Sequence, residues 1–120
     1  MEIYDCFMYF DEDLLLDLRL NILHKHVKKF VITESTYLHS GKEKKLKFDY
    51  KNFTKFKDKI IYLVVDSPPP GIEIINSNDT AEIKNKKILD NSLKRENNQR
   101  KKLIHGLEGA LENDLILSSD

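Results

Sequence analysis

Ile60 to Val65 is an unbroken run of apolar residues, mostly β-branched, bounded by Lys59 on one side and Asp66-Ser67 on the other. Such a run reads as a strand. Ile3 to Phe10 is similar in kind: short, aromatic-rich and without polar alternation, it suits a strand buried on both faces. Strands buried on both faces suit an open, mostly parallel sheet covered by helices, and the order of the elements that follow argues for that α/β arrangement.

The intervening sequence supplies the first helix. After Asp11, Glu12 and Asp13, the residues Leu16, Leu20, Leu23 and Val27 recur at helical spacing, and Leu15, Leu18 and Ile22 widen the stripe. Acidic residues open this helix, while His24, Lys25, His26, Lys28 and Lys29 close it, each group opposing the partial charge of the nearer terminus. Phe30 to Thr33 is then a second strand, ending on Glu34 and Ser35, and strand, helix, strand is a parallel crossover unit.

Thr36 to Lys59 is lysine-rich with spaced aromatics, and reads as a structured excursion carrying a short helix near Asn52 to Lys57. Pro68, Pro69, Pro70 and Gly71 stop the third strand. From about residue 67 to 91 the sequence lacks a clear period and predicts a long loop of the kind that often serves as a functional lid. Ser92 to Asn113 returns to helical order through Leu103, Leu107, Ala110 and Leu111, and Leu115 to Leu117 starts a fourth strand leading into Ser118, Ser119 and Asp120.

Composition narrows the function. The 120 residues fit one domain, and 40% hydrophobic content is enough for a core. The 20 basic and 20 acidic side chains cancel, so no whole-chain field favours nucleic acid or an anionic membrane. Neither a leader-like segment nor an apolar run of about 20 residues occurs. The lone Cys6 lies in an apolar stretch and reads as a core residue, and the expected location is the cytoplasm. The histidines have no metal-binding spacing, and no glycine-rich phosphate loop is present.

Open parallel sheets bind ligands at the carboxyl ends of their strands. Here those ends carry Phe10-Asp11, Glu34-Ser35, Asp66-Ser67 and Ser118 to Asp120, polar and acidic residues suited to a sugar nucleotide and a divalent cation. Each has a plainer reading as well. Glu34 can cap the following turn or pair with a lysine, Asp66 before Ser-Pro can initiate a turn, and Arg95, Glu96 and Arg100 can form a solvated helix face.

Several segments in order resemble glycosyltransferase family 17, the β-1,4-mannosyl-glycoprotein β-1,4-N-acetylglucosaminyltransferases and their bacterial relatives. They are Tyr4 to Phe7 with Phe10, Asp13 to Leu15, Leu18 to Asn21, Phe30 to Ser35 with Ser40 to Lys42, Lys59 to Tyr62 with Val65-Asp66, Arg95 to Arg100, and Asp114 to Asp120. The resemblance implies a GT-A, Rossmann-like α/β domain: a mostly parallel open sheet with flanking helices. Residues 1–120 would form its donor-nucleotide half, ending where the acidic metal-binding motif begins. It further implies a UDP-sugar donor, UDP-N-acetylglucosamine, a glycan acceptor, and Mn2+ (or Mg2+). Asp120 matches the first aspartate of the family's Asp-x-Asp motif and so becomes the metal ligand. Phe10, Glu34, Asp66, Glu96 and Arg100 become donor-site candidates beside it. A piece of this extent is expected to be inactive alone. The alternative is a small non-catalytic α/β module that binds a nucleotide or a protein.

Overall fold

The computed structural model describes residues 1–119, so the expectation for Asp120 lies outside the described residues. The elements are β1 (Ile3–Met8), α1 (Asp13–Leu23), β2 (Lys29–Ser35), a 3-10 segment (Tyr50–Lys59), β3 (Ile60–Val65), α2 (Ala81–Lys102), a 3-10 turn (Leu103–Leu107) and β4 (Leu115–Ser119). The strands form one sheet in the order β3-β2-β1-β4, and every pairing is parallel, as the apolar runs require. In this register Cys6 lies between Val31 and Ser118, and Ile32 lies beside Tyr62.

Alternate residues of each strand serve opposite faces. Phe7, Phe30, Ile32 and Ile60 pack under Leu16 and Leu20 of α1 and Phe53 and Phe56 of the 3-10 segment. Tyr4, Cys6 and Val31 face the other way, against Leu103, with Leu107 and Ala110 partly covering them. Burial, with the Asp5 carboxylate adding to it, pushes the Cys6 thiol up to about 11, which suits a core residue and not a nucleophile.

The excursion between β2 and β3 is structured, as its aromatics predict. Phe48 stacks on Tyr62 (4.6 Å between centroids) and on Phe53 (5.7 Å), closing the α1 side of the sheet beyond β2. Lys59, at the end of that segment, donates to the carbonyls of His24 and Val27, satisfying groups just past the carboxyl end of α1. The basic residues expected to end α1 follow the helix instead of lying in its last turn.

Three expectations change. Leu15, Leu18 and Ile22 do not join the core; they are 64%, 55% and 62% exposed on a flank of α1 turned away from the buried Leu16 and Leu20. The long loop expected to about residue 91 ends at Thr80, whose side chain caps α2 by accepting the Ile83 N–H at 3.2 Å. The first half of α2 shows no apolar stripe because it packs on no sheet. Its partner is the loop itself: Asn91 exchanges hydrogen bonds with the Glu73 backbone (2.8 and 2.9 Å), and Lys94 donates to the Gly71 carbonyl (2.6 Å). At its far end α2 stops at Lys102, not near Asn113, and tightens into the 3-10 turn that seats Gly106 against Val31.

Candidate functional site at the carboxyl edge

The chain runs from β1 outward through β2 to β3, then returns to the opposite side of β1 as β4. The carboxyl ends of β1 and β4 therefore flank the point where the strand order reverses, the place where open α/β sheets bind ligands. Phe10 stands there, half-buried, just before Asp11 turns the backbone through φ 70°. A groove of about 530 Å³ opens beside it, lined by Phe10, Glu12, Leu15, Leu18 and Arg19 among others. Arg19 is committed within the fold: it grips the buried Asp5 carboxylate at 2.5 and 2.6 Å and lies over the Phe7 ring.

Glu34 is placed differently from the sequence expectation of a ligand contact. It is fully buried, and its carboxylate accepts from the Lys44 ammonium (2.7 Å), the Tyr62 hydroxyl (2.6 Å) and the N–H groups of Lys47 (2.7 Å) and Phe48 (3.1 Å). Its work is to fasten the excursion to the sheet, which is the plainer reading of that residue. Burial alone would push this carboxyl up, but the hydrogen bonds from Lys44, Tyr62, Lys47 and Phe48 outweigh it and hold the group below its ordinary value. A depressed carboxyl contributes stability that is complete above its unfolded value, about 4.3, and disappears as pH falls through the folded one. Urea unfolding of the wild type and Glu34→Gln is thus expected to show a gap in stability at pH 7 that narrows below about pH 4. A gap independent of pH would contradict the assignment.

Asp66, after β3, is exposed and stands between two polar clefts. One, of about 320 Å³, includes Ser67, Asn98, Lys101, Lys102 and His105; the other, of about 490 Å³, includes Thr36, Tyr37, Gly41 and Arg95. Glu96 and Arg100 pair with each other across one helical turn at 2.9 Å. Asn98 reaches the Ser67 carbonyl after β3 (3.3 Å), and the buried Gln99 reaches the Thr33 carbonyl on β2 (3.2 Å). With about 100° between successive helical residues, Arg100 lies on the opposite flank of α2, toward β1 and β4.

The structure brings in residues that the sequence reading passed over. Neither His39, which has no metal-binding partner in the sequence, nor Gln99 is singled out by the sequence pattern. Yet Gln99 lies four residues before Leu103 on the same stripe of the helix, and a polar residue on a buried stripe is a signal of a specific hydrogen bond.

An all-parallel sheet with helices on both faces and its polar residues gathered at the carboxyl edge defines a Rossmann-like α/β domain. The family model of glycosyltransferase family 17 matches residues 1–120, and the chain belongs to that family. Its role is accordingly that of a glycosyltransferase, with a sugar donor and an acceptor as partners. No curated protein and no solved structure matches it. Among the described residues, no helix is long and apolar enough to cross a membrane.

Proposed function

We propose that the carboxyl edge of this sheet binds a UDP-sugar, UDP-N-acetylglucosamine, with Mn2+ or Mg2+, for transfer to a glycan acceptor. The observation that carries this reading is the reversal of strand order between β1 and β4. Both strands finish at the same edge, Phe10 follows one, and Asp120 is the residue that follows the other in sequence.

In this reading Phe10 and Asp66 contact the nucleoside, and Arg100, held by Glu96, turns its guanidinium toward the diphosphate. Asp120 would hold the divalent ion, with the diphosphate supplying further oxygen ligands. Among the described residues no three His, Cys, Asp or Glu side chains come together as metal ligands. When bound, the ion neutralises charge on the departing diphosphate.

The test is calorimetric titration of UDP into the purified chain, with and without manganese, once circular dichroism shows it folded. Manganese-dependent binding is expected, and Asp120→Ala is expected to remove the dependence on manganese while leaving the far-UV spectrum unchanged. A folded chain that ignores UDP would overturn the reading and favour a non-catalytic module.

A further inference from the structure

Three segments distant in sequence converge at the exit of β1. The Thr33 carbonyl of β2 accepts two hydrogen bonds there, one from the Tyr9 N–H as the chain leaves β1 (2.8 Å) and one from the Gln99 side-chain amide of α2 (3.2 Å). Because the amide nitrogen of Gln99 is committed to Thr33, its oxygen faces the other way, to Nε2 of His39 at 3.4 Å. That pairing places the ring proton of His39 on Nε2. The His39 ring then meets the Phe10 ring edge to face, with centroids 5.2 Å apart.

The backbone of His39 is held from the same helix. Arg95 lies one turn before Gln99 and donates to the His39 carbonyl at 3.0 Å. Its guanidinium packs so closely on Gly41 that a Cβ there would lie 2.8 Å from the guanidinium carbon, and Gly41 itself adopts φ +93°. A side chain at 41 would therefore displace Arg95. One face of α2 thus grips His39 at its ring and at its carbonyl, and His39 in turn abuts the Phe10 ring just after β1.

We infer that Gln99, acting through His39, is a positioning residue that fixes the Phe10 ring for the nucleotide. This rests on the reading of Phe10 as a nucleotide contact. Neither Gln99 nor His39 has to touch the ligand: a ring that is already oriented loses less freedom when a base packs on it, so binding is tighter. The same arrangement makes nucleotide affinity depend on how α2 docks on the sheet.

Gln99→Met removes the hydrogen bonds without emptying the space, and the Thr33 carbonyl keeps its bond from Tyr9, so no buried acceptor is orphaned. His39→Ala breaks the same chain of contacts from a half-buried loop position and serves if the helix variant does not fold. The experiment is a double-mutant cycle in UDP affinity, measured by calorimetry with manganese, over wild type, Phe10→Ala, Gln99→Met and the pair, repeated with His39→Ala.

Phe10→Ala is expected to weaken UDP about tenfold, in the range of a lost base-to-aromatic contact. Gln99→Met is expected to weaken it about fivefold in the wild-type background and to have no further effect in the Phe10→Ala background, as coupled neighbours do. The Phe10 and His39 ring resonances should shift in Gln99→Met, while those of Phe53 and Phe56 in the core stay in place. Effects of Gln99→Met and His39→Ala that simply add to that of Phe10→Ala would overturn the positioning role and leave Phe10 as a contact. A Phe10→Ala variant that binds UDP like the wild type would overturn the underlying contact, and the positioning role with it.

Discussion

Replacing Glu34 by alanine is expected to lower the unfolding free energy by about 3–5 kcal/mol, the usual cost of removing one partner of a buried ion pair. The reason is what it leaves behind. Lys44, whose side chain is only 13% exposed, would be left with no carboxylate to meet it. The Tyr62 hydroxyl and the N–H groups of Lys47 and Phe48 would lose their acceptor at the same time. Against a total stability of about 5–15 kcal/mol for a domain, such a loss is large. Glu34→Gln, which retains an acceptor but no charge, should fall between alanine and the wild type. The measurement is urea unfolding followed by circular dichroism, and a loss under about 1 kcal/mol for alanine would refute the central role of this carboxylate. Because Glu34 faces the excursion and no open cleft, its removal should act on nucleotide binding only through folding.

Gly106→Ala is expected to be the next most damaging single change, at about 3 kcal/mol, the upper part of the range for overfilling a packed core. Alanine would ordinarily be the better residue in a helical turn, so propensity alone predicts a gain. Packing reverses the sign. A Cβ on residue 106 would sit 2.4 Å from one methyl carbon of Val31 and 3.0 Å from the other, and Val31 is fully buried in β2 between β1 and β3. Neither backbone can yield, because the turn follows directly from α2 and the strand is paired on both sides. Shortening the opposing side chain should restore room. The double variant Gly106→Ala with Val31→Ala is thus expected to be more stable than the sum of the two single losses indicates, the mark of contacting residues. Strict additivity in thermal or urea unfolding would show that Gly106 is not held by Val31.

Much of the fold was legible because burial writes itself into local sequence. Ile60 to Val65 is apolar throughout and forms β3 over those same residues, and Ile3 to Met8 lies inside the run read as the first strand. Leu16 and Leu20 recur at helical spacing and are buried where the pattern put them. The half of α2 that packs on the loop and not on the sheet was missed for the same reason in reverse. It buries nothing on the sheet, so no stripe marks it, and only the Thr80 cap and a run of good helix formers announced it. The extra apolar flank of α1 misled in the same way, because periodicity shows that residues share a side without showing what lies against it.

The site divides along similar lines. That polar residues would gather at the carboxyl edge followed from parallel strands alone, since each strand of such a sheet ends at the same side. Which of those residues would face a ligand did not. Glu34 and Asp66 look alike in sequence, each an acid at the end of an apolar strand, yet one is enclosed by an excursion that folds back from 10 residues on and the other is exposed. Gln99 meets His39 across 60 residues. Sequence by itself determined the strands, their parallel pairing and the edge that carries the polar groups, because those depend on burial along a single element. Only the tertiary structure decided the fate of each charge and amide at that edge, because a hydrogen-bond partner far along the chain leaves no trace in the local pattern of either residue.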